Sequence, residues 1–368
     1  APPVAPAAAA SRGRSGAPRW RHCSAVQYSP RSAKKKPKRK PFCLNGSTVQ
    51  ATGKKVKKLK KQGATAGACP DVCTPQCNKV SCGGPDSCGG TCGCNAGSVC
   101  DEGACTACTV KCTGTALGCG SELTQALTGG GRIVLCPGTY STSAIGFDIT
   151  KDTTLIGAGS GSDPASSTIL DGQDQRIVLL NTSKKTLTMR GVRVTRGKYS
   201  AGGGGLFVGE DADIRVSDCA FVANSGTGGG AISSFSKLRL TRTVFDRNTA
   251  TTTDGGGVLV FDAGPSFITD CEFTGNSTVA YGGGLKVNDT NVTITGCTFR
   301  GNTASRGGGL AVEDGTVNLD SATTITGNTA STYGGGAWRT SGVLNLNGAN
   351  ISGNFSANPP ADCGGGCT

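Results

Sequence analysis

A glycine–asparagine repeat is the feature that most constrains the fold of this chain. Glycine triplets begin at residues 228, 255, 282, 307 and 334, so the intervals between them are 27, 27, 25 and 27 residues. An asparagine precedes each triplet, and a large apolar side chain lies three positions before each asparagine. The asparagines are Asn224, Asn248, Asn276, Asn302, Asn328 and Asn354, and the apolar residues are Phe221, Phe245, Phe273, Phe299, Ile325 and Ile351. A fixed period of this length is typical of a solenoid.

The residues between these marks predict which solenoid forms. Alternating runs such as residues 285–287 and 292–294 contain β-branched side chains and are bounded by turn residues, so they predict strands of three to five residues. Three short strands and three turns per repeat predict a parallel β-helix, whose coils stack in register about 4.8 Å apart. We expect phenylalanines to stack inside, asparagine amides to pair along a turn and glycines to adopt positive φ. The same alternation places Lys286 on the solvent face.

One repeat resembles a known family. The run Phe299-Arg300-Gly301-Asn302, followed by Gly308-Gly309-Leu310, resembles the paired FxxN and GGxx motifs of polymorphic outer-membrane protein repeats. More broadly, residues 115–368 are similar to secreted bacterial right-handed β-helix proteins of the pectin-lyase-like superfamily. The resemblance implies an all-β, right-handed parallel β-helix. It implies no particular activity, because these motifs build turns and core.

Charge divides the chain into two parts. The formal net charge is +13, but residues 1–70 hold 17 basic and no acidic residues, whereas residues 71–368 hold 20 basic and 24 acidic ones. Residues 1–42 are rich in Ala, Pro, Lys and Arg, which predicts a disordered basic tail that binds anionic surfaces. The basic run 34–40 is also typical of nucleic-acid binding. The cysteines downstream indicate an oxidising compartment, so we expect no dedicated nucleic-acid partner.

Cysteines delimit two small units after the tail. Residues 43–69 begin and end with Cys43 and Cys69, which we expect to pair, and their lysine doublets predict either a short basic helix or, in preference, a solvated charge run. Residues 70–114 contain ten cysteines and little apolar surface. We therefore expect a disulfide-rich module whose cysteines pair among themselves. Zinc is the alternative, because Cys105-x2-Cys108 has ligand spacing.

The β-helix is predicted over residues 115–368. A short helix over residues 121–127, with Ser121 as its N-cap, is expected to cover the first coil. We also expect two bridges, Cys119–Cys136 and Cys363–Cys367. Three further cysteines are predicted to be buried free thiols, because they face the core and stacked Cβ atoms about 4.8 Å apart are too distant for a disulfide. These are Cys219, Cys271 and Cys297.

Catalytic side chains are sparse in the predicted β-helix. The resemblance implies that hydrolases of this class use paired aspartates with a histidine, and that lyases use acidic calcium ligands with an arginine. The single histidine, His22, lies in the tail, which excludes histidine-dependent catalysis by the body. Asp171, Asp174 and Arg176 come nearest to a lyase site, although Asp171-Gly172 is an ordinary turn dipeptide. We therefore assign no catalytic residue, metal ligand or cofactor.

The sequence thus predicts a secreted or cell-surface, non-catalytic β-helix protein for adhesion or surface display. Its expected ligand is an extracellular or cell-surface polysaccharide. The alternatives are a calcium-dependent polysaccharide lyase and a structural envelope spacer. No segment is long and apolar enough to suggest a transmembrane helix. No signal peptide is recognisable, and because the sequence begins with Ala we expect that a leader has been removed or that the sequence starts downstream of it.

Overall fold

The structure, a computed structural model, describes residues 40–44, 47–51, 54–62, 65–66, 94, 97–143 and 145–367. The chain forms two compact units, Ala1–Cys73 and Thr74–Thr368. The greater part of the predicted tail and the predicted partner of Cys43, Cys69, lie outside the described residues.

The first unit contains a small antiparallel sheet and a basic helix. Strand Lys40–Leu44 lies between Ser47–Ala51 and Thr65–Ala66, and its first three residues belong to the predicted tail. Helix α1, Lys54–Lys61, holds the lysine doublets. Leu59 is buried in it, whereas most of its lysines are exposed. The lysine doublets therefore form a basic helix with an apolar edge. This was the less favoured of the two alternatives, because the sequence analysis preferred a solvated charge run.

The second unit opens with a hairpin attached to the first coil. Strands Ser98–Asp101 and Ala104–Ala107 pair antiparallel, and Cys94 is bonded to Cys105. Beyond the hairpin, Val110 pairs in parallel with Leu135. This extra bridge aligns the hairpin exit with the first coil.

Two disulfide predictions were wrong. The bridge between Val110 and Leu135 brings the segment containing Cys108 alongside the first coil, where Cys108 is bonded to Cys136 with their Cα atoms 5.3 Å apart. Cys119 is instead bonded to Cys112. The predicted Cys119–Cys136 bridge is therefore absent, and the cysteines of residues 70–114 do not pair only among themselves. Because Cys105 and Cys108 are both in disulfides, neither thiolate is available to zinc.

A helix covers the end of the first coil, as predicted, but it begins earlier. Helix α2 spans Ala116–Gly129, and its N-cap is Thr115, whose hydroxyl accepts a hydrogen bond from the Gly118 amide at 3.2 Å. The predicted cap, Ser121, lies inside the helix. The first turns contain glycines that read as helix breakers, yet a Cβ at Gly120 would lie 1.8 Å from the carbonyl oxygen of Ser141. Glycine is therefore needed there for close packing on the first coil.

Three parallel sheets form the walls of the solenoid. The first, here called the phenylalanine sheet, has nine strands and so defines nine coils. Its strands are Gly138–Ser141, Thr168–Asp171, Val192–Thr195, Ala220–Val222, Val244–Asp246, Glu272–Thr274, Thr298–Arg300, Thr324–Thr326 and Asn350–Ser352. The second, the short sheet, has seven strands. They are Lys198–Tyr199, Ser225–Gly226, Thr249–Ala250, Ser277–Thr278, Thr303–Arg306, Thr329–Tyr333 and Phe355–Asn358.

The third, the wide sheet, has two arms. The first arm follows the glycine turn and contains Phe147–Asp148, Leu179–Asn181, Leu206–Val208, Ile232–Ser234 and Val258–Phe261. The second arm contains Gly131–Val134, Thr153–Ile156, Thr186–Arg190, Asp213–Ser217, Lys237–Thr241 and Ser266–Thr269. The two arms merge in the long strands Leu285–Thr295 and Leu310–Asn318. After these strands the arms separate again, into Ala337–Arg339 and Val343–Asn345. The last strand, Cys363–Gly364, pairs with Ala337–Arg339.

Stacked phenylalanines fill the interior, as the repeat predicted. The rings of Phe221, Phe245, Phe273 and Phe299 are fully buried and stack face to face, with successive centroids 5.4, 4.8 and 4.5 Å apart. Their strands pair in exact register, one coil above the next. Each ring therefore covers its neighbour, and water is excluded along the coil axis.

The asparagines form a continuous amide ladder beside these rings. Each Asn Nδ2 from Asn224 to Asn328 donates to Oδ1 of the next asparagine, at 2.9–3.0 Å. The same Oδ1 accepts the backbone N–H of the preceding asparagine. At the last step, Asp362 replaces an asparagine and accepts both bonds from Asn354, each at 3.0 Å.

Glycine at the turn is required by backbone conformation. Gly255, Gly282, Gly307 and Gly334 all have φ between 60° and 71°, a region that L side chains rarely adopt. A Cβ at Gly282 would also lie 2.3 Å from the carbonyl oxygen of Leu285. The expected positive φ is therefore confirmed.

The cysteines of the solenoid follow the prediction. Cys219, Cys271 and Cys297 are buried and free, whereas Cys363 and Cys367 are bonded. Burial raises the pKa of the Cys219 thiol to about 12, which keeps it protonated. The thiols therefore act as small apolar core residues.

Core packing makes Phe273 a critical side chain. Replacing Phe273 by Ala leaves a cavity between two stacked rings, so we expect a loss of about 3–5 kcal/mol in the free energy of unfolding. The matched control is its exposed neighbour, with Glu272→Ala changing stability by less than about 0.5 kcal/mol. Urea denaturation of both variants measures the difference. Equal effects at the two positions would contradict the observed strand register.

Candidate functional site

The side chains nearest to a lyase site are engaged in a structural ion pair. Asp171 is buried, and its carboxylate accepts from Nε of Arg196 at 2.9 Å, from a second nitrogen of that guanidinium and from the Gln173 amide. Asp174 lies 3.9 Å from the same guanidinium. The hydrogen bond to Asp171 raises the pKa of Arg196. The structure thus gathers both aspartates around Arg196, a residue that the sequence did not single out, and not around Arg176.

Two columns of outward side chains flank the glycine turn instead. The pre-turn column consists of the residues immediately before four turn glycines: Asp254, Tyr281, Arg306 and Tyr333. The post-turn column consists of residues in register on the first arm: Phe207, Ser233, Leu259, Lys286, Ala311 and Trp338. Glycines contribute no side chains between the columns, so the two columns can contact each other.

Lys286 is the largest departure from the sequence prediction. It lies on the outer side of its strand, as alternation predicted, but it is fully buried and not solvent-facing. Its Nζ lies 2.6 Å from Glu313 Oε2, 3.9 Å from Asp254 Oδ2 and 5.1 Å from the centroid of the Tyr281 ring. The apolar part of the Lys286 side chain is covered by the surrounding residues. The carboxylates of Glu313 and Asp254 provide the negative charge that the buried ammonium group needs. Burial raises the pKa of Asp254, an effect that the Lys286 charge opposes.

Arg306 is held by aromatic rings and not by carboxylates. Tyr281 and Tyr333 are its register neighbours in the adjoining coils, and their ring centroids lie 5.5 and 5.6 Å from its guanidinium carbon. Trp338 approaches to 5.4 Å and stacks on Tyr333. Within the described parts of the chain, the guanidinium makes no ion pair or hydrogen bond. Cation–π contacts therefore fix its position and leave its N–H donors unused.

An aromatic ladder continues along the same side of the solenoid. The ring centroids of Tyr199 and Phe207 are 5.7 Å apart, those of Phe207 and Phe235 are 6.0 Å apart, and those of Phe235 and Phe261 are 5.4 Å apart. Phe261 is 36% exposed and pairs in register with Asn288, which in turn pairs with Glu313. The ladder and the ionic cluster therefore form one surface.

A groove of about 560 Å³ borders this ladder at Phe235. Its polar lining includes Glu210, Asp211, Asp213 and Asp262, together with two lysines. Two of these acids are engaged: Asp211 pairs with Lys184, and Asp213 pairs with two arginines. The groove thus offers hydrogen-bonding groups beside a half-buried ring, a composition suited to a polar ring compound.

Metal and membrane features can be stated for the described residues only. Among them, no three histidine, cysteine or carboxylate side chains are placed so that they could hold a metal ion. Neither described helix has the length and apolar character needed to cross a membrane.

Sequence reasoning missed this surface, although a signal was present. Tyr281, Arg306 and Tyr333 all occupy the position immediately before a glycine triplet. The repeat aligns that position in successive coils, so stacking could have been inferred. The contacts with Lys286 and Trp338 could not, because they depend on how the first arm is oriented across the turn.

Comparison with known proteins supports the fold. A family model described as the right handed beta helix region matches residues 170–356, which is 187 of the 368 residues. The match begins in the second strand of the phenylalanine sheet and ends in the last strand of the short sheet, so it covers all the repeats described above. No curated protein and no solved structure matches the chain.

Removing the buried ammonium group tests the description of Lys286. We expect Lys286→Ala to lower the free energy of unfolding by about 2–4 kcal/mol, because Glu313 and Asp254 then lose their counter-charge in a partly dry site. The exposed Lys237 on the second arm is the matched control, and Lys237→Ala should change stability by less than about 0.5 kcal/mol. Chemical denaturation compares them. A loss as small as that of the control would favour the solvent-facing lysine that the sequence predicted.

Proposed function

We propose that this chain, which belongs to the right-handed β-helix family, is an extracellular or cell-surface protein whose solenoid binds a glycan without chemically altering it. The role would be adhesion or surface display. The observation that carries the proposal is the aromatic ladder from Tyr199 to Phe261, an unbroken series of ring contacts on the outside of a rigid scaffold.

Partly exposed rings in series suit a linear polymer of sugar rings. Aromatic faces provide flat apolar area for the C–H faces of sugars, and neighbouring carboxylates, amides and hydroxyls accept or donate hydrogen bonds. The solenoid repeats at the strand spacing, so its surface is extended and pre-organised, and little entropy is lost on binding. A polysaccharide fits this geometry better than a compact small molecule.

Binding without turnover is supported by the side chains present. The body contains no histidine, and the carboxylates nearest to a lyase pattern, Asp171 and Asp174, are held by Arg196. The extracellular or surface location is supported by disulfides such as Cys108–Cys136 and Cys363–Cys367, which persist in oxidising compartments.

A glycan array tests the proposal. We expect the full chain to bind a subset of polysaccharides, and Phe261→Ala to weaken that binding about fivefold or more, as loss of a central aromatic contact does. Phe267→Ala is the matched control, because Phe267 is 43% exposed but lies on the second arm, outside the ladder.

Three outcomes separate the candidate functions. Selective binding that depends on Phe261 supports adhesion. Absence of binding to any polysaccharide would favour a structural spacer. Unsaturated products, with or without calcium, would identify a lyase and overturn the non-catalytic proposal.

The basic tail would supply a second, less specific attachment. Residues 1–70 hold 17 of the 37 basic residues and no acid. We expect deletion of residues 1–39 to lower heparin affinity, because it removes ten of these 17 basic residues and reduces the net charge from +13 to +3. Heparin chromatography measures it, and elution of the full chain should move to lower salt on truncation. Unchanged elution would place the anionic site on the folded part of the chain.

A further inference from the structure

The cluster around Arg306 is not required by the fold. The coils provide an internal comparison, because the same register positions recur. In the post-turn column, Ser233, Leu259 and Ala311 occupy the position that holds Lys286 in another coil. None of these three is charged, and their coils stack equally well. Charged and aromatic residues gathered in adjoining coils are therefore a local specialisation of the surface.

Two cations in this cluster have different surroundings. Lys286 is paired with carboxylates: its ammonium group donates a hydrogen bond to Glu313 and lies 3.9 Å from Asp254. Arg306 contacts only rings in the described part of the chain, and its side chain is half-buried. Because this guanidinium is fixed in place and has no ion-pair partner within that part of the chain, its N–H groups are available to a ligand. Two of them can donate parallel hydrogen bonds to two oxygens of an anion.

We propose that Arg306 reads a negatively charged group, a carboxylate or a sulfate ester, on the glycan that the surface binds. The inference rests on the proposed function and makes Arg306 a specificity-determining residue. A sugar ring would lie against Trp338 or Tyr333, and its anionic substituent would take the free donors of Arg306.

The alternatives fit the cluster less well. Aromatic rings around a cation site usually indicate recognition of a ligand ammonium group, but here the protein's own guanidinium occupies that place. A neutral ligand would leave the guanidinium desolvated without a partner, which costs free energy. Of the two nearby acids, Glu313 is bonded to Lys286 and Asp254 lies 3.9 Å from the same ammonium group, so the two cations Lys286 and Arg306 together balance the two carboxylates.

Matched glycan pairs test the proposal in the full chain. The probes are a glucuronate-containing oligosaccharide and its carboxyl-reduced counterpart, and a sulfated oligosaccharide and its desulfated counterpart. We expect Arg306→Gln to weaken binding of an acidic member by about 10–100-fold, the range of a charge-assisted hydrogen-bonded pair. Binding of the neutral members should not weaken, because they form no charge-assisted hydrogen bond with Arg306. The two pairs show whether carboxylate or sulfate is the group recognised.

Two further variants control for charge and folding. Arg300→Gln removes one positive charge from the exposed end of a phenylalanine-sheet strand, outside the cluster, and should leave binding unchanged. Arg306→Lys keeps the cation, and should fold and recover only part of the affinity, because it lacks the planar fork. The basic tail is present in every variant, so its contribution cancels.

The outcomes distinguish this inference from the proposed function. Acidic and neutral members that bind equally, with both depending on Phe261, would overturn the role of Arg306 and leave glycan binding intact. Equal losses for Arg306→Gln and Arg300→Gln would also overturn it. Absence of binding by every member of both pairs would overturn the inference, whereas the proposed function would be overturned only if the glycan array also showed no binding.

Discussion

The amide ladder is the interaction on which the solenoid depends. Each coil must turn sharply beside the stacked phenylalanines, and backbone groups at that turn are cut off from water. A buried asparagine such as Asn276 forms hydrogen bonds with these backbone groups and with the asparagines of the preceding and the following coil. Its Oδ1 accepts the backbone N–H and the side-chain amide of Asn248, and its Nδ2 donates to the Phe245 carbonyl and to Asn302. No other side chain of this size has both a double acceptor and a double donor.

Elements set by the repeat could be predicted from the sequence, and elements set by one-off contacts could not. The period fixed the parallel coils, the inward phenylalanines and the free Cys271 and Cys297, because each rests on the same register in successive coils. The N-cap at Thr115 was missed because glycines in the first turns of the helix indicate a turn when only the sequence is considered. Gly120 is needed there for tight packing on Ser141, which only the tertiary structure shows. The Cys108–Cys136 bridge depends likewise on a single strand-like contact between sequence-distant segments.

The candidate site shows the same division. Alternation correctly placed Lys286 on the outer side of its strand, but outer position and solvent exposure are separate properties. A long side chain on a crowded surface can be covered by its neighbours, and here Tyr281, Asp254 and Glu313 cover it. Inner positions carry apolar side chains in every coil, whereas the outer columns change between apolar, polar and charged residues from one coil to the next. Any specific recognition is therefore expected in the outer columns, where one coil differs from the next.

Asp362 takes the place of an asparagine at the last step and terminates the ladder of hydrogen bonds. Every asparagine donates toward the following coil, so the final one needs an acceptor that has no donor of its own to satisfy, and a carboxylate meets that need. A tandem duplication of residues 302–327, a unit of 26 residues, would keep the asparagine spacing of the last three coils and leave Asp362 at the end of the ladder. Length and termination are thus encoded separately. The outer face of such a molecule can be lengthened or shortened by duplication or deletion of coils, without a change to its terminus.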